Sequence, residues 1–229
     1  MSNRQIRPGI SRGIAAAAQA AAASAVLIFA LAPSAWGVPP ETGATFTNPQ
    51  AQASLEAGVA ALKEAEGLEA RRSGTGSKAN EMPPELTDAY TRARTAFMDA
   101  SQNDPAMAEA WNGLGYSQRK LGDYDTALAS YGRALTLKPG YPEAMEYRGE
   151  AYLALNRPND AKQAYLDLFA TNRVLADHLL GAMRTWIAAQ KSGANKAGAA
   201  DLAQWVEERA KIAAQTAALT REGTAASWR

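Results

Sequence analysis

The chain has no cysteine and a single histidine, His178, among 229 residues. The first absence excludes disulfides, thiolate metal sites, a cysteine nucleophile and a lipid-modified cysteine anchor. The second excludes a multi-histidine metal centre and leaves little room for a Ser/His/Asp triad. A charge excess of one sign is also missing, because the formal net charge is +1. No general attraction to nucleic acid or to a membrane surface follows from that balance. The basic run Arg71-Arg72 is too short for nucleic acid. No phosphate-binding glycine loop, metal motif or nucleophile elbow is found. Alanine, in contrast, is abundant, with 53 residues, and it is the best helix former. The composition argues against an all-β fold and for a helical protein without conventional catalytic equipment or a cofactor.

The N-terminus reads as an address. Arg4, Arg7 and Arg12 precede an apolar or small-residue stretch from Ile14 to Leu31, interrupted only by Gln19 and Ser24. Pro33 breaks that stretch, and Ala35-Trp36-Gly37 puts small residues where a signal peptidase inspects the chain. The expectation is a secretory signal peptide over 1–37, cut after Gly37, with an uncleaved membrane anchor as the alternative. Either places the folded part outside the cytoplasm. No arginine pair occurs here, so the general secretion route is favoured over twin-arginine export. Residues 38–50 hold Pro39, Pro40, Gly43 and Pro49 without apolar period and read as a linker.

A repeat organises the rest. Ala108-Glu109-Ala110-Trp111 and Pro142-Glu143-Ala144-Met145 lie 34 residues apart, as do Gly115 and Gly149, Leu121 and Leu155, Ala127 and Ala161, and Tyr131 and Tyr165. The same step backwards links Ala127 to Ala93, Tyr131 to Phe97, Ala134 to Ala100 and Pro139 to Pro105. A fixed period of this length means stacked supersecondary units. Within 108–141 the series Trp111, Leu114-Gly115, Gly122, Tyr124, Ala127, Tyr131, Ala134 and Pro139 resembles the tetratricopeptide repeat (TPR) family. Gln118 departs from it, standing where an aromatic is usual. Residues 142–175 keep Gly149, Tyr152, Ala161 and Tyr165 but have Leu168 for the small residue and Arg173 for the closing proline.

The periodicity itself describes helical hairpins. Ala110, Trp111, Leu114 and Gly115 share one helical face, and Tyr124, Ala127, Leu128, Tyr131, Ala134 and Leu135 form the stripe of a second helix. Gly115 and Gly149 remove a Cβ where two helices are expected to cross closely. Gly122 ends the first helix and Pro139-Gly140 the second. Upstream, 87–107 reads as a second helix whose partner cannot start near 74, because Gly74-Thr75-Gly76-Ser77 and Pro83-Pro84 forbid it. A suitable first helix lies at about 51–71, with Leu55, Gly58, Val59, Ala61 and Leu62. The first repeat is therefore expected over 51–107 with an insertion near 72–86, the alternative being that 51–71 merely precedes a half-lost repeat. Residues 176–219 are expected as capping helices, with Trp186 and Trp205 in the apolar faces of 174–190 and 198–219, and 220–229 as a fraying tail. Trp111, Trp186 and Trp205 are expected in the core. The resemblance implies an all-α right-handed superhelix of about three helix-turn-helix repeats, closed by a C-terminal helical cap.

It also implies a function. In this family the first helices line a concave groove, and the matching positions are Glu109, Asn112, Tyr116 and Arg119 in one unit and Glu143, Glu146 and Glu150 in the next. The unit before offers Gln52, Leu55 and Val59. The groove would suit a peptide or helix carrying apolar and basic side chains, whereas the acids argue against gripping a C-terminal carboxylate. Without the resemblance, Glu143, Glu146 and Glu150 read as a solvated acidic face at i, i+3 and i+7. His178, beside Asp177, reads as an ordinary surface or partly buried histidine. The expected protein is a non-enzymatic scaffold or adaptor of the bacterial cell envelope, exported to the periplasm and binding another protein. The alternatives are a membrane-anchored subunit of a larger assembly, if the N-terminal segment is retained, and a self-associating structural protein.

Overall fold

The computed structural model describes residues 48–74, 82–190 and 195–226. The expected signal peptide and most of the linker lie outside the described residues, as does 75–81 at the centre of the expected insertion. Among the described residues there are eight α-helices and no strand. The chain divides into two compact units, Met1–Glu143 and Ala144–Arg229.

The N-terminal unit is built from α1 (Pro49–Gly74), α2 (Pro84–Asn103), α3 (Ala108–Lys120) and α4 (Tyr124–Leu137). Asn48 starts α1: its Oδ1 accepts from the backbone N–H of Gln50 and Ala51, and its Nδ2 donates to the Asn103 carbonyl at 2.9 Å. One side chain thus caps a helix and ties it to the end of the next. Pro84 opens α2, where a missing N–H costs nothing. Among the buried residues of α1, Ala51, Leu55, Val59, Leu62 and Ala65 recur at three and four, with Ala61 beside them. They pack on α2, whose buried stripe is Leu86, Ala89, Tyr90, Ala93, Phe97 and Ala100. Phe97 is fully buried, and it lies where α1, α2 and α3 meet. A Cβ added at Gly58 of α1 would come within 2.7 Å of its ring, and one added at Gly113 of α3 within 2.6 Å. Both glycines let a backbone rest on a ring face that no other residue would leave open.

The α3–α4 hairpin repeats the device, since a Cβ at Gly115 would lie 2.8 Å from the buried Tyr131 ring. Its turn is a Schellman motif. Gly122 takes φ +90°, Asp123 N–H donates to the Gln118 carbonyl and Gly122 N–H to that of Arg119. Gln118 accepts from the Ser130 hydroxyl at 2.7 Å, so a hydrogen bond joins the two helices at the slot where an aromatic is usual.

The C-terminal unit contains α5 (Pro142–Ala154) from Ala144 on, α6 (Pro158–Thr171), α7 (Arg173–Ala189) and α8 (Lys196–Ala226). The turn from α5 to α6 copies the Schellman geometry 34 residues on. Asn156 stands at φ 59°, with Arg157 N–H bonded to the Tyr152 carbonyl and Asn156 N–H to that of Leu153. Asn172 caps α7 by accepting from Leu175 N–H at 3.1 Å. Leu179 and Met183 of α7 and Leu202 and Val206 of α8 are buried. α8 continues to Ala226, past the boundary expected at 219. No helix among the described residues is long and apolar enough to cross a membrane.

The fully buried rings of the core are tyrosine and phenylalanine rather than tryptophan. Tyr90, Phe97, Tyr131 and Tyr165 are fully buried, whereas Trp111, Trp186 and Trp205 are half-buried. Their expected core placement is therefore corrected. An indole must place its N–H against an acceptor, and Trp111 does so at the unit's surface by donating to the Pro105 carbonyl at 3.0 Å.

Candidate functional site

The expected groove residues of α3 follow one helical line but meet different fates. Glu109 is half-buried and pairs with Lys138, Oε1 to Nζ 3.3 Å, and the same ammonium sits 4.3 Å from the centroid of the Tyr141 ring. Asn112 is only 1% exposed. Its Nδ2 donates to the Tyr141 hydroxyl at 3.4 Å, while its Oδ1 finds no partner among the described residues. Burial pushes the Tyr141 hydroxyl above its ordinary pKa, and the charges of Glu109 and Glu143 push the same way. The turn after α4 thus folds Tyr141 over the position expected to face a ligand.

Tyr116 is also buried, with its ring 6.4 Å from that of Tyr90. Arg119 lies 5.0 Å from the Tyr116 centroid, and Lys120 is 5.2 Å from that of Tyr90 and 5.8 Å from that of Tyr116. Lys120 also pairs with Glu69 of α1. The end of α3 is therefore fastened to α1 and α2 by a cation–aromatic cluster. Burial, then the neighbouring Tyr116 and Glu69, pushes the Tyr90 hydroxyl well up. In α1, Gln52 is half-buried and bonds to Glu56, while Leu55 and Val59 are buried in the core. These two do not supply the apolar groove end that the sequence suggested.

In the C-terminal unit the correction concerns Glu146. It was expected on a solvated or groove-facing acidic surface, and it is only 2% exposed. Its Oε1 lies 3.6 Å from Nδ1 of His178 on α7. The cause is the close approach of α7 to α5: a Cβ at Gly149 would come within 2.6 Å of the Leu179 side chain, next to His178. A buried carboxylate needs a donor or a positive partner, and the one histidine stands beside it. The arrangement fastens two helices. Glu150 remains half-buried, as does Glu143 at the last position of the N-terminal unit.

Sequence reasoning missed Lys138, Tyr141, Lys120 and Tyr90 as neighbours of the candidate residues. The signal available was weak, since Lys138, Tyr141 and Tyr90 come from a turn or from another helix, and only Lys120 shares α3 with Tyr116. Among the described residues no group of three His, Asp or Glu side chains is placed to hold a metal. An open apolar hollow of about 250 Å³ lies between α7 and α8, lined by residues that include Ile187, Ala199 and Ala203. It carries no chemistry beyond apolar contact.

These features are those of a helical hairpin stack with a polar, partly covered first-helix face. Residues 108–141 match the tetratricopeptide repeat. The match spans α3, α4 and the turn after them. Among solved structures, the crystal structure of MamA is 18% identical, with 57% of this chain and 78% of that chain covered and a TM-score of 0.40. No curated protein matches the chain. The repeat match supports a protein-interaction scaffold in general, a kind of fold that is typically non-catalytic.

Proposed function

We propose that the protein is an exported scaffold or adaptor of the bacterial cell envelope that binds a peptide or helix of another protein through its first-helix faces. The observation that carries the reading is the complete repeat at 108–141. Its α3 presents Glu109, half-buried and held only by an exposed-type ion pair that a partner's basic side chain can replace. Arg119, Glu143 and Glu150 are the other partly exposed members of the expected set. Asn112, Tyr116 and Glu146 act behind them, as supports that fix the helices. Export, to the periplasm or as an inner-membrane-anchored form, rests on the Arg-rich, apolar and small-residue order of 1–37.

The test is crosslinked capture from the native envelope fraction, with the intact mass of the bait read alongside. The reading expects a bait lacking 1–37 and a defined partner that is lost on Glu109→Lys/Glu143→Lys. A bait that captures no other protein, or that keeps its partner unchanged after charge reversal at both positions, would count against it. Retention of 1–37 in a membrane-bound bait would favour the anchored form.

A further inference from the structure

Around the buried Tyr165, the C-terminal unit carries a surface that none of the expected sites includes. Three helices each bring two residues one turn apart: Tyr165 and Phe169 from α6, Arg173 and Asp177 from α7, Trp205 and Arg209 from α8. Arg184 falls on the same face of α7 as Arg173 and Asp177, by the helical period. The rings touch in a row, with Tyr165 5.6 Å from Phe169 in a stacked pair and 5.2 Å from Trp205 edge to face. An arginine closes each end. The Arg173 guanidinium lies 3.8 Å from the Phe169 centroid and its Nε donates to the Phe169 carbonyl, while that of Arg209 lies 5.4 Å from the Trp205 centroid.

Stacking on an aromatic fixes a guanidinium and leaves its outer N–H groups free to pair with a carboxylate. None of Arg173, Arg184 and Arg209 makes an ion pair with an acid among the described residues. Nε of Arg209 is buried without an acceptor, and so is the Tyr165 hydroxyl. All three arginines act electrostatically on Tyr165, opposed there by one acid, Asp177. Beside Arg173, Val174 is 64% exposed, and Leu166 of α6 is 40% exposed. Arginine and aromatic residues are enriched at interface centres, and the exposed Val174 and Leu166 add apolar area next to them in sequence.

We propose that this Arg173–Arg184–Arg209 surface docks an acidic segment of a partner protein, one that also carries aliphatic side chains. The proposal rests on the scaffold reading and assigns it a second contact surface, of opposite charge to the acidic first-helix positions.

The probe is a fluorescently labelled, glutamate-rich peptide with interspersed leucines, titrated into the full chain and followed by anisotropy and by tryptophan emission. The wild type is expected to bind, more weakly as salt rises from about 50 to about 300 mM. Arg173→Gln/Arg184→Gln/Arg209→Gln is expected to bind about tenfold more weakly, since each partly exposed pair contributes a modest share. Arg184→Gln alone touches no packed ring and is expected to lose about two- to threefold, which keeps the test valid should the triple variant unfold. Equal binding by wild type and Arg184→Gln together with the triple variant would overturn the proposal, as would absence of binding at low salt. So would stronger capture of a lysine-rich peptide, of phosphatidylglycerol vesicles or of single-stranded DNA than of the acidic peptide. If the acidic peptide fails to bind while partner capture is still lost on Glu109→Lys/Glu143→Lys, this inference alone falls and the scaffold reading stands.

Discussion

In the N-terminal unit, glycines meet rings: Gly58 and Gly113 close on Phe97 from two helices, and Gly115 rests on Tyr131. In the C-terminal unit, Gly149 occupies the slot 34 residues after Gly115, yet its close neighbours are Leu179 of α7 and Ala164 of α6. Tyr165, equivalent to Tyr131 by the same step, is drawn instead into a row with Phe169 and Trp205. The turns show the same relation, with Gly122 at φ +90° and Asn156 at φ 59° closing identical hydrogen-bond patterns. The repeat therefore specifies where backbones approach and where helices stop. What fills the gap is set by the next helix, and α7 no longer follows the repeat.

The largest contrast is expected at Phe97. Truncation to alanine opens a cavity where three helices meet and is expected to lower stability by about 3–5 kcal/mol in denaturant unfolding of the full chain. A loss below about 1 kcal/mol would mean that the glycine-lined ring is not the centre of its unit.

Alkaline pH is the next way to sharpen the comparison. Tyr90, Tyr141 and Tyr165 all have hydroxyls raised above their ordinary pKa, with burial the largest cause in each. The unfolded chain ionises at about pH 10, where the folded one still holds the proton. The stabilising effect is complete below that pH and is lost above it, at up to about 1.4 kcal/mol per pH unit for each tyrosine. Two of the three lie in the N-terminal unit, so its hydrogen-exchange protection is expected to fall first. Uniform loss across both units would break the contrast.

Gly113→Ala and Gly149→Ala test the occupants directly. Gly113 faces a ring that Gly58 of another helix also approaches, and the substitution is expected to cost about 2–3 kcal/mol. Gly149 faces methyl groups at the end of a leucine that can change rotamer, and about 1 kcal/mol is expected. Reversal of that order would show that α7 is held more rigidly than the N-terminal core. The smallest effects belong to the turns. Gly122→Ala is expected to cost about 1 kcal/mol and Asn156→Gly to change stability by a few tenths, both read as shifts in the melting temperature.

Much of the fold was legible because it depends on backbone events that small residues announce. The all-α class and the hairpin at 108–141 followed from Gly115, Gly122, Tyr131 and Pro139 at their spacing. The end of α8 was not legible, since the helix runs through Gly223 to Ala226, past a residue that ordinarily favours a stop. The site was read less well than the fold. Spacing puts Asn112 and Glu146 on a helix face but cannot say that Tyr141 or α7 will cover it. The tryptophans were misplaced because size suggests burial while the indole N–H demands an acceptor, which Trp111 finds at a turn. The arginine–aromatic row escaped because its members come from three helices, none of which is distinctive alone.

The central claim is that first-helix positions contact a partner. Photocrosslinking in intact cells tests it, with a photoreactive residue placed in turn at Glu109, Arg119, Glu143 and Glu150, and for comparison at the exposed α4 positions Thr126 and Arg133. The account predicts a discrete heterologous adduct from the first set and none from the second. Adducts from Thr126 and Arg133 alone, or from no position in either set, would contradict it.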